Sequence, residues 1–206
     1  MKIIIILTIL LSINLYGEYK LSVKGGLNYS TAKIIEVDSN KVYNYGYKFG
    51  KIFFISFEKE ISNDFYWNID LGLNSKGYGG LYYNNYYSIE LPIILGYSIA
   101  KSINTYIGLY SSIVFIEGDS FGGIMDNHGG KINNDYGFLI GIEYNYNNIL
   151  FNFRFQQGYG NLKQSDPEGP TPYVTNNRQF SFMVGYQFSF KKRKKNDYVL
   201  RLNDIE

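Results

Sequence analysis

Cysteine is absent from this chain of 206 residues, and histidine occurs only once, as His128. The lack of cysteine excludes disulfide bonds, thiolate nucleophiles and metal sites built from thiolates. His128 lies in the segment IMDNHGG, whose glycines predict a loop. A catalytic triad would need a serine nucleophile and an orienting group beside this histidine. We therefore expect a protein that is not an enzyme.

Signals for bound groups are equally sparse. Asp119, Asp126 and His128 could approach one ion, but their spacing matches no familiar metal-ligand pattern. The net charge is +2 and charged residues make up 18% of the chain, whereas nucleic-acid binding requires a strongly basic face. The sequence thus predicts no metal, no cofactor and no nucleic-acid partner.

Long apolar runs are missing after the N-terminus. Residues 1–17 contain Lys2, an apolar run that reaches Leu15 and the small residue Gly17, a pattern typical of a secretory signal peptide. A retained helical anchor or a buried first strand is the alternative interpretation. The run is shorter than the roughly 20 apolar residues of a membrane-spanning helix, and no later stretch approaches that length. Any membrane span must therefore be a closed β-barrel.

Aromatic residues and glycine, in contrast, are abundant, with 22 Tyr, 15 Phe and 22 Gly. Eight segments alternate apolar and polar residues with a period of two, which is the pattern of strands with one apolar face. They cover residues 19–30, 47–60, 65–76, 86–98, 105–117, 135–145, 149–159 and 179–190. The sequence predicts an all-β fold, an eight-stranded antiparallel transmembrane β-barrel over residues 18–190, followed by a basic tail over residues 191–206.

Two features favour a membrane barrel over the alternative, a soluble lipocalin-like barrel. Connections between the segments alternate between short and long, as the periplasmic turns and extracellular loops of outer-membrane barrels do. This pattern predicts that both termini are periplasmic. In addition, the apolar positions of these alternating segments carry aromatic residues at both ends of the strands. This is expected for two interfacial girdles in contact with outer-membrane lipid. The predicted girdle residues are Tyr19, Tyr29, Trp67, Tyr87, Tyr97, Tyr136, Tyr144 and Tyr159.

Charged residues lie mainly at the polar positions of the alternating segments, which would face the barrel interior. The predicted interior charge network comprises Lys24, Glu58, Asp70, Glu90, Glu143 and Arg154. We expect Arg154 to be the main partner of the carboxylates, since a guanidinium can bind two oxygens at once. Pro92 predicts a bulge or a missing ladder bond in the fourth segment, because proline lacks an N–H. Lys51 is an exception, since its parity would place it against lipid unless it snorkels or a bulge shifts the register.

Several strand segments together resemble the PorT-type outer-membrane β-barrel family of Bacteroidota. The resemblance is carried by VKGGLNYS, YYSIELPIILGYSI, YIGLYSSIVF, NDYGFLIGIEY, FRFQQGYGNL and RQFSFMVGYQFSF. It implies a small barrel in the outer membrane of a Gram-negative bacterium, without implying one activity. The member that names the family acts in assembling a secretion machine for surface proteins.

The function predicted from these observations is that of a non-enzymatic interaction or envelope scaffold. An eight-stranded barrel has an interior just wide enough for side chains to fill, so interaction is expected at the extracellular loops and the tail. The partner would be a periplasmic or surface protein. A narrow channel for small solutes or ions, lined by Lys24, Glu90 and Arg154, is the alternative. A soluble lipocalin-like binding barrel is a further alternative.

Overall fold

The computed structural model describes residues 19–36, 42–44, 46–78, 84–119, 134–159 and 173–190. These residues form nine strands: β1 Tyr19–Glu36, β2 Val42–Asn44, β3 Lys48–Glu60, β4 Phe65–Tyr78, β5 Asn84–Ala100, β6 Ile103–Asp119, β7 Asn134–Tyr146, β8 Ile149–Gly158 and β9 Tyr173–Phe190. The predicted signal peptide, the basic tail and His128 lie outside the described residues. In the part of the chain that the structure describes, no helix is long and apolar enough to span a membrane.

Eight of these strands close into an antiparallel barrel, as the sequence predicts. Each strand from β3 to β8 pairs with the next one in the chain, β1 pairs with β3, and β9 pairs back with β1. Each of the eight predicted segments corresponds to one barrel strand. The sequence did not predict β2, a three-residue strand that pairs with the end of β1 outside the barrel circuit.

The strands of the barrel are tilted, and the pairing register shows in which sense. A row of paired residues that starts at Tyr19 returns to β1 at Tyr29, ten residues further along the strand. The row passes through Lys59, Trp67, Leu95, Ile107, Ile140, Phe155 and Phe180. Such a stagger accompanies a strand tilt of about 35–45° in a closed barrel. In the order β9, β1, β3, the paired residue on each following strand therefore lies nearer the end of the barrel at which β1 finishes.

The two ends of the barrel differ. The predicted tight connections are confirmed at residues 61–64, 101–102 and 147–148, and all lie at one end, here named the turn end. Asn147 and Asn148 both have positive φ angles, 49° and 70°, as a two-residue hairpin turn requires. The Asn145 side-chain oxygen accepts a hydrogen bond from the Asn148 amide at 3.1 Å. The opposite end, toward which the longer connections lie, is named the loop end.

Alternation along each strand places apolar side chains on the outer wall and polar ones inside. Large exposed residues such as Leu27, Phe49 and Leu109 are 57%, 72% and 69% accessible. The buried interior instead contains charged and amide side chains together with Phe54, Leu139 and a few others. A soluble barrel would have the reverse arrangement, because its outer wall meets water. The lipocalin-like alternative is therefore wrong.

Pro92 interrupts one ladder without changing its register. Between β4 and β5, Ile69 pairs with Ile93 and Gly72 pairs with Glu90, while the two residue pairs between them are missing. On its other side, Pro92 remains paired with Tyr110 of β6. The predicted loss of ladder pairing is confirmed. The predicted bulge does not occur at Pro92, since the register shifts of β5 lie elsewhere, at Tyr87/Ser88 and at Ser98/Ala100.

Candidate functional site

The interior of the barrel is the region where the described charged side chains converge. All six residues of the predicted interior charge network are buried there. They do not form one network but belong to three groups, spaced from the turn end to the loop end. We name these the rim group, the central group and the upper group.

The rim group lies next to the turn end, where the strands begin and end. Lys20 of β1 contacts the Glu58 carboxylate at 2.9 Å and the Glu60 carboxylate at 3.1 Å, both on β3. Lys20 is partly exposed, as is Glu60. Because water reaches this group, its ion pairs contribute little to stability.

The central group comprises two cations and two carboxylates, all nearly inaccessible to water. Arg154 of β8 donates a hydrogen bond to the Asp70 carboxylate of β4 at 2.5 Å. Lys24 of β1 lies 3.5 Å from Asp70 and 3.8 Å from the Glu143 carboxylate of β7. The charges balance within the group, which is the condition for burying ions away from water. These contacts connect four strands across the barrel.

Aromatic rings hold the Arg154 guanidinium in position. Its centre lies 4.9 Å from the ring centroid of Phe54 and 5.6 Å from that of Tyr106, within the range of cation–π attraction. The Arg154 Nε donates to the Tyr106 hydroxyl at 3.2 Å, and that hydroxyl donates to the Asn152 side-chain oxygen at 2.8 Å. The ring faces and the hydroxyl together fix the plane of the guanidinium.

We expect Tyr106→Phe to lower the free energy of unfolding by about 1–3 kcal/mol, because it removes the hydroxyl shared by Arg154 and Asn152 and leaves both partners buried. The measurement is the urea unfolding midpoint in detergent micelles. Tyr146→Phe is the matched control, since Tyr146 is 57% exposed. Equal midpoints for the two variants would contradict a stabilising role for this hydroxyl.

The upper group lies nearer the loop end and has its own cation. The Lys76 amine contacts Glu90, and it lies 3.5 Å from the Asp135 carboxylate. Asn74 donates to Glu90 at 3.0 Å, and Gln156 donates to its second oxygen at 3.3 Å. Glu90 is therefore buried with one cation and two amide donors, which resolves how an apolar strand carries a carboxylate.

The prediction that Arg154 would be the main partner of the interior carboxylates is wrong. Among the described carboxylates, Arg154 contacts Asp70, whereas Lys76 contacts Glu90 and Lys20 contacts Glu58. The residues missed by sequence reasoning are Lys20, Lys76, Tyr106, Asp135 and Tyr110, whose hydroxyl donates a hydrogen bond to the Asp135 carboxylate at 3.2 Å. All of them lie at inward-facing positions of their strands. The alternation of apolar and polar residues could therefore have placed them inside the barrel, but it could not have identified the side chains that they contact.

The predicted girdle residues all lie on the outer wall. Tyr19, Trp67, Tyr97 and Tyr144 are near the turn end, and Tyr29, Tyr87, Tyr136 and Tyr159 are toward the loop end. Several pack against neighbouring rings: the Tyr29 and Tyr47 centroids lie 4.6 Å apart, and those of Phe65 and Tyr97 lie 5.0 Å apart. This outer wall is suited to an apolar medium bounded by two polar ones.

The chemistry available in the interior is that of structural ion pairs. Asp70 and Glu90 are fully inaccessible, and Lys24 and Arg154 are each 2% accessible. Within the described residues, no three His, Cys, Asp or Glu side chains come together to bind a metal ion. Asp126 and His128 lie outside the described residues, and so does the side chain of Asp119. A substrate could reach the charges of the central and upper groups only by displacing the side chains around them.

Comparison with known proteins supports the fold. No protein-family model matches the chain, and no curated protein matches it. Among solved structures, Neisserial surface protein A has 17% sequence identity, covers 82% of this chain and 97% of its own, and superposes with a TM-score of 0.50. Ail, the attachment invasion locus protein of Yersinia pestis, has 13% identity over 84% of this chain and 99% of its own, with a TM-score of 0.45. The class defined by the fold is thus the closed eight-stranded antiparallel β-barrel.

Proposed function

We propose that this protein is a non-enzymatic β-barrel of a Gram-negative outer membrane, closed to solute flow, that acts as an interaction or envelope scaffold. The observation that carries the proposal is the solvent-inaccessible layer of charges around Arg154 and Asp70. A water-filled pore would leave its lining side chains accessible to water. With the interior closed, contacts with partners fall to the loops and to the basic tail over residues 191–206.

The outer wall supports the membrane location. Exposed apolar side chains on every barrel strand would be unstable against water, whereas a bilayer accommodates them. The strand segments that resemble the PorT-type family support the same location. We propose membership of that family and, with it, a role associated with the envelope or with secretion.

The shape of the loop end supports interaction there. Strands β1 and β9 stay paired as far as Glu36 and Tyr173, and β5 and β6 as far as Asn84 and Asp119. Between these two ribbons β7 ends sooner along the ladder, since it begins at Asn134, opposite Ile113. On the other side of the barrel, β4 extends to Tyr78, which pairs with Asn84 and so lengthens the ribbon of β5 and β6. Two raised ribbons on opposite sides of the barrel would present a broad surface to a partner.

Planar-bilayer recording tests the closed interior. We expect purified protein to insert without steady, reproducible conductance, because the central and upper groups fill the lumen. An inserted variant with Arg154 and Lys24 both replaced by alanine is the positive control, and its conductance should rise. Reproducible channels from the unaltered protein would instead support the alternative function, a narrow channel lined by Lys24, Glu90 and Arg154.

Cysteine labelling tests location and orientation, and the native chain offers no background because it contains no cysteine. We expect Ser165→Cys, in the long connection before β9, to react with a membrane-impermeant maleimide on intact cells. Asn196→Cys, in the tail, should react only after the outer membrane is permeabilised. The protein should also fractionate with outer membranes and change its gel migration on boiling. The opposite labelling pattern would reverse the orientation, and a soluble protein without a shift would overturn the membrane location.

A further inference from the structure

The three charge groups of the interior differ in their formal charge. In the central group, two cations face two carboxylates, so the sum is zero. The rim group has one lysine for two carboxylates, but Glu60 there is partly exposed to water. The upper group also has one cation, Lys76, for the two carboxylates of Glu90 and Asp135. An excess negative charge is thus buried in the upper group.

Water does not neutralise this excess by solvation. Glu90 is fully inaccessible, Asp135 is 1% accessible and Lys76 is 2% accessible. Apart from Lys76, no lysine or arginine of the described strands forms an ion pair with either carboxylate. A carboxylate away from water is costly unless a positive charge lies beside it. The upper group therefore requires one more positive charge.

The contacts of Asp135 show where that charge would lie. Its Oδ2 accepts hydrogen bonds from the Tyr110 hydroxyl at 3.2 Å and from the Asn177 amide at 3.4 Å, and it lies 3.5 Å from the Lys76 amine. Its Oδ1 is buried and has no hydrogen-bond partner among the described residues. Both oxygens of Glu90, in contrast, have partners. The donors thus gather on one Asp135 oxygen and leave the other to accept a cation.

Two further oxygen atoms beside Asp135 are buried without a partner. The Asn177 side chain donates its amide to Asp135, whereas its Oδ1 atom accepts no hydrogen bond from the part of the chain that the structure describes. Ser112, which pairs with Asp135 between β6 and β7, has its Oγ atom in the same condition. Asn177 is 3% accessible and Ser112 is 1% accessible. Strands β6, β7 and β9 therefore each supply one buried oxygen without a partner.

Gly158 of β8 permits this arrangement. Strand β8 lies between β7 and β9, and a Cβ at position 158 would lie 2.6 Å from the Asp135 Oδ1 atom and 2.7 Å from the Tyr110 hydroxyl. Any other residue at this position would therefore displace the carboxylate. The glycine lets the Asp135 and Asn177 side chains meet in front of β8.

We propose that the upper group binds one monovalent metal cation of the Na⁺ type through Asp135 Oδ1, Asn177 Oδ1 and the Ser112 hydroxyl oxygen. Carboxylate, amide and hydroxyl oxygens are the ligands that hard cations prefer. A single positive charge brings the formal charge of the group to zero, whereas a divalent ion would reverse it beside the Lys76 amine. The inference goes beyond the proposed function and holds for either orientation of the barrel.

The ion joins three strands near the loop end of the barrel. Its ligands at positions 112, 135 and 177 are far apart in the chain, so ligand spacing along the sequence could not predict the site. It also differs from a cluster of three acidic or histidine side chains, of which the described residues contain none. The ligand set is one carboxylate with two neutral oxygens, as a single positive charge requires.

Sodium-23 NMR relaxation tests the site on folded protein in zwitterionic detergent micelles. We expect an excess transverse relaxation rate that saturates as NaCl replaces N-methylglucamine chloride at constant ionic strength. Asp135→Asn should weaken Na⁺ binding by at least about 10- to 100-fold, since changing a residue behind a metal ligand already costs that much. Asn177→Ala removes a neutral ligand and should weaken binding on the order of tenfold. If Asp135→Asn does not fold, Asn177→Ala provides the comparison.

Asp64→Asn is the matched control, because Asp64 is an exposed carboxylate in the turn between β3 and β4 and its loss should leave Na⁺ binding unchanged. Urea unfolding gives a second readout. NaCl should raise the unfolding midpoint of the unaltered protein above its value in N-methylglucamine chloride, but not that of Asp135→Asn, because a ligand of the folded state stabilises it.

Two results would overturn the inference. The first is folded, unaltered protein without a saturable excess relaxation rate, or with the same rate in Asp135→Asn as in Asp64→Asn, which is the result expected if a proton neutralises Asp135. The second is displacement of Na⁺ by a far lower concentration of Ca²⁺, which would contradict the assignment to a monovalent ion.

Discussion

Replacing Arg154 with alanine is expected to lower the free energy of unfolding by about 3–5 kcal/mol, which is the usual cost of removing one partner of a buried ion pair. The variant leaves the Asp70 carboxylate fully buried without its closest cation. It also removes the guanidinium from between the Phe54 and Tyr106 rings and leaves the Tyr106 hydroxyl without one hydrogen-bond donor. Lys24 remains 3.5 Å from Asp70 and moderates the loss, so a value toward the lower end of this range is expected.

The measurement is urea unfolding in lipid vesicles, followed by the fraction of protein that keeps the folded gel mobility. Arg178→Ala is the matched control, because it removes an arginine from the outer wall of β9, away from the lumen. A second variant, Arg154→Gln with Asp70→Asn, removes both charges and should recover part of the stability, since no buried carboxylate is then left unpaired. If Arg154→Ala and Arg178→Ala unfold at the same urea concentration, the central group does not stabilise the barrel.

Gly26→Ala should lower the free energy of unfolding by about 3 kcal/mol, a loss comparable to that of Arg154→Ala, although it adds only one methyl group. A Cβ at position 26 would lie 2.0 Å from the carbonyl oxygen of Phe182 and 2.7 Å from the Cα of Met183, both backbone atoms of β9. Because neither atom can rotate away, β1 and β9 would have to separate, and their pairing closes the barrel. Overpacking of this kind usually costs about 1–3 kcal/mol, and the rigid backbone places this site at the upper end.

The neighbouring glycine provides the control for this prediction. A Cβ at Gly25, on the outer wall, would meet its nearest atoms at 3.9 Å, an ordinary contact distance. Gly25→Ala should therefore change the free energy of unfolding by less than about 1 kcal/mol, and in the stabilising direction, because alanine restricts the unfolded chain. Both variants would be compared by urea unfolding and by the rate of folding into vesicles. Similar stability of Gly26→Ala and Gly25→Ala would contradict the close approach of β1 and β9.

Much of the fold could be predicted because the alternation of apolar and polar residues follows from the geometry of a single strand. A strand directs successive side chains to opposite faces, so the sequence of β4, with Phe65, Trp67 and Ile69 alternating with Tyr66, Asn68 and Asp70, specifies both faces without reference to any other strand. The tight connection at Asn147 and Asn148 likewise specifies, from local sequence alone, that β7 and β8 are antiparallel neighbours. The missing pairs at Pro92 follow from the chemistry of one residue.

The candidate site could be predicted only in part, because pairing across a barrel is not local. Parity placed Glu90 and Arg154 inside, but the partner of each depends on the stagger accumulated from strand to strand around the barrel. That stagger brings Lys76 to Glu90 and Arg154 to Asp70. β2 was likewise missed, since three residues are too few to show a period.

The sequence by itself determined that this chain forms strands with one apolar and one polar face, and that a membrane span could be built only from such strands. The tertiary structure decided which distant residues meet, because closure of β9 onto β1 fixes contacts that no local pattern contains. The central group illustrates the difference. Arg154 of β8 and Asp70 of β4 are 84 residues apart in the chain, and only closure of the barrel brings their side chains within hydrogen-bond distance.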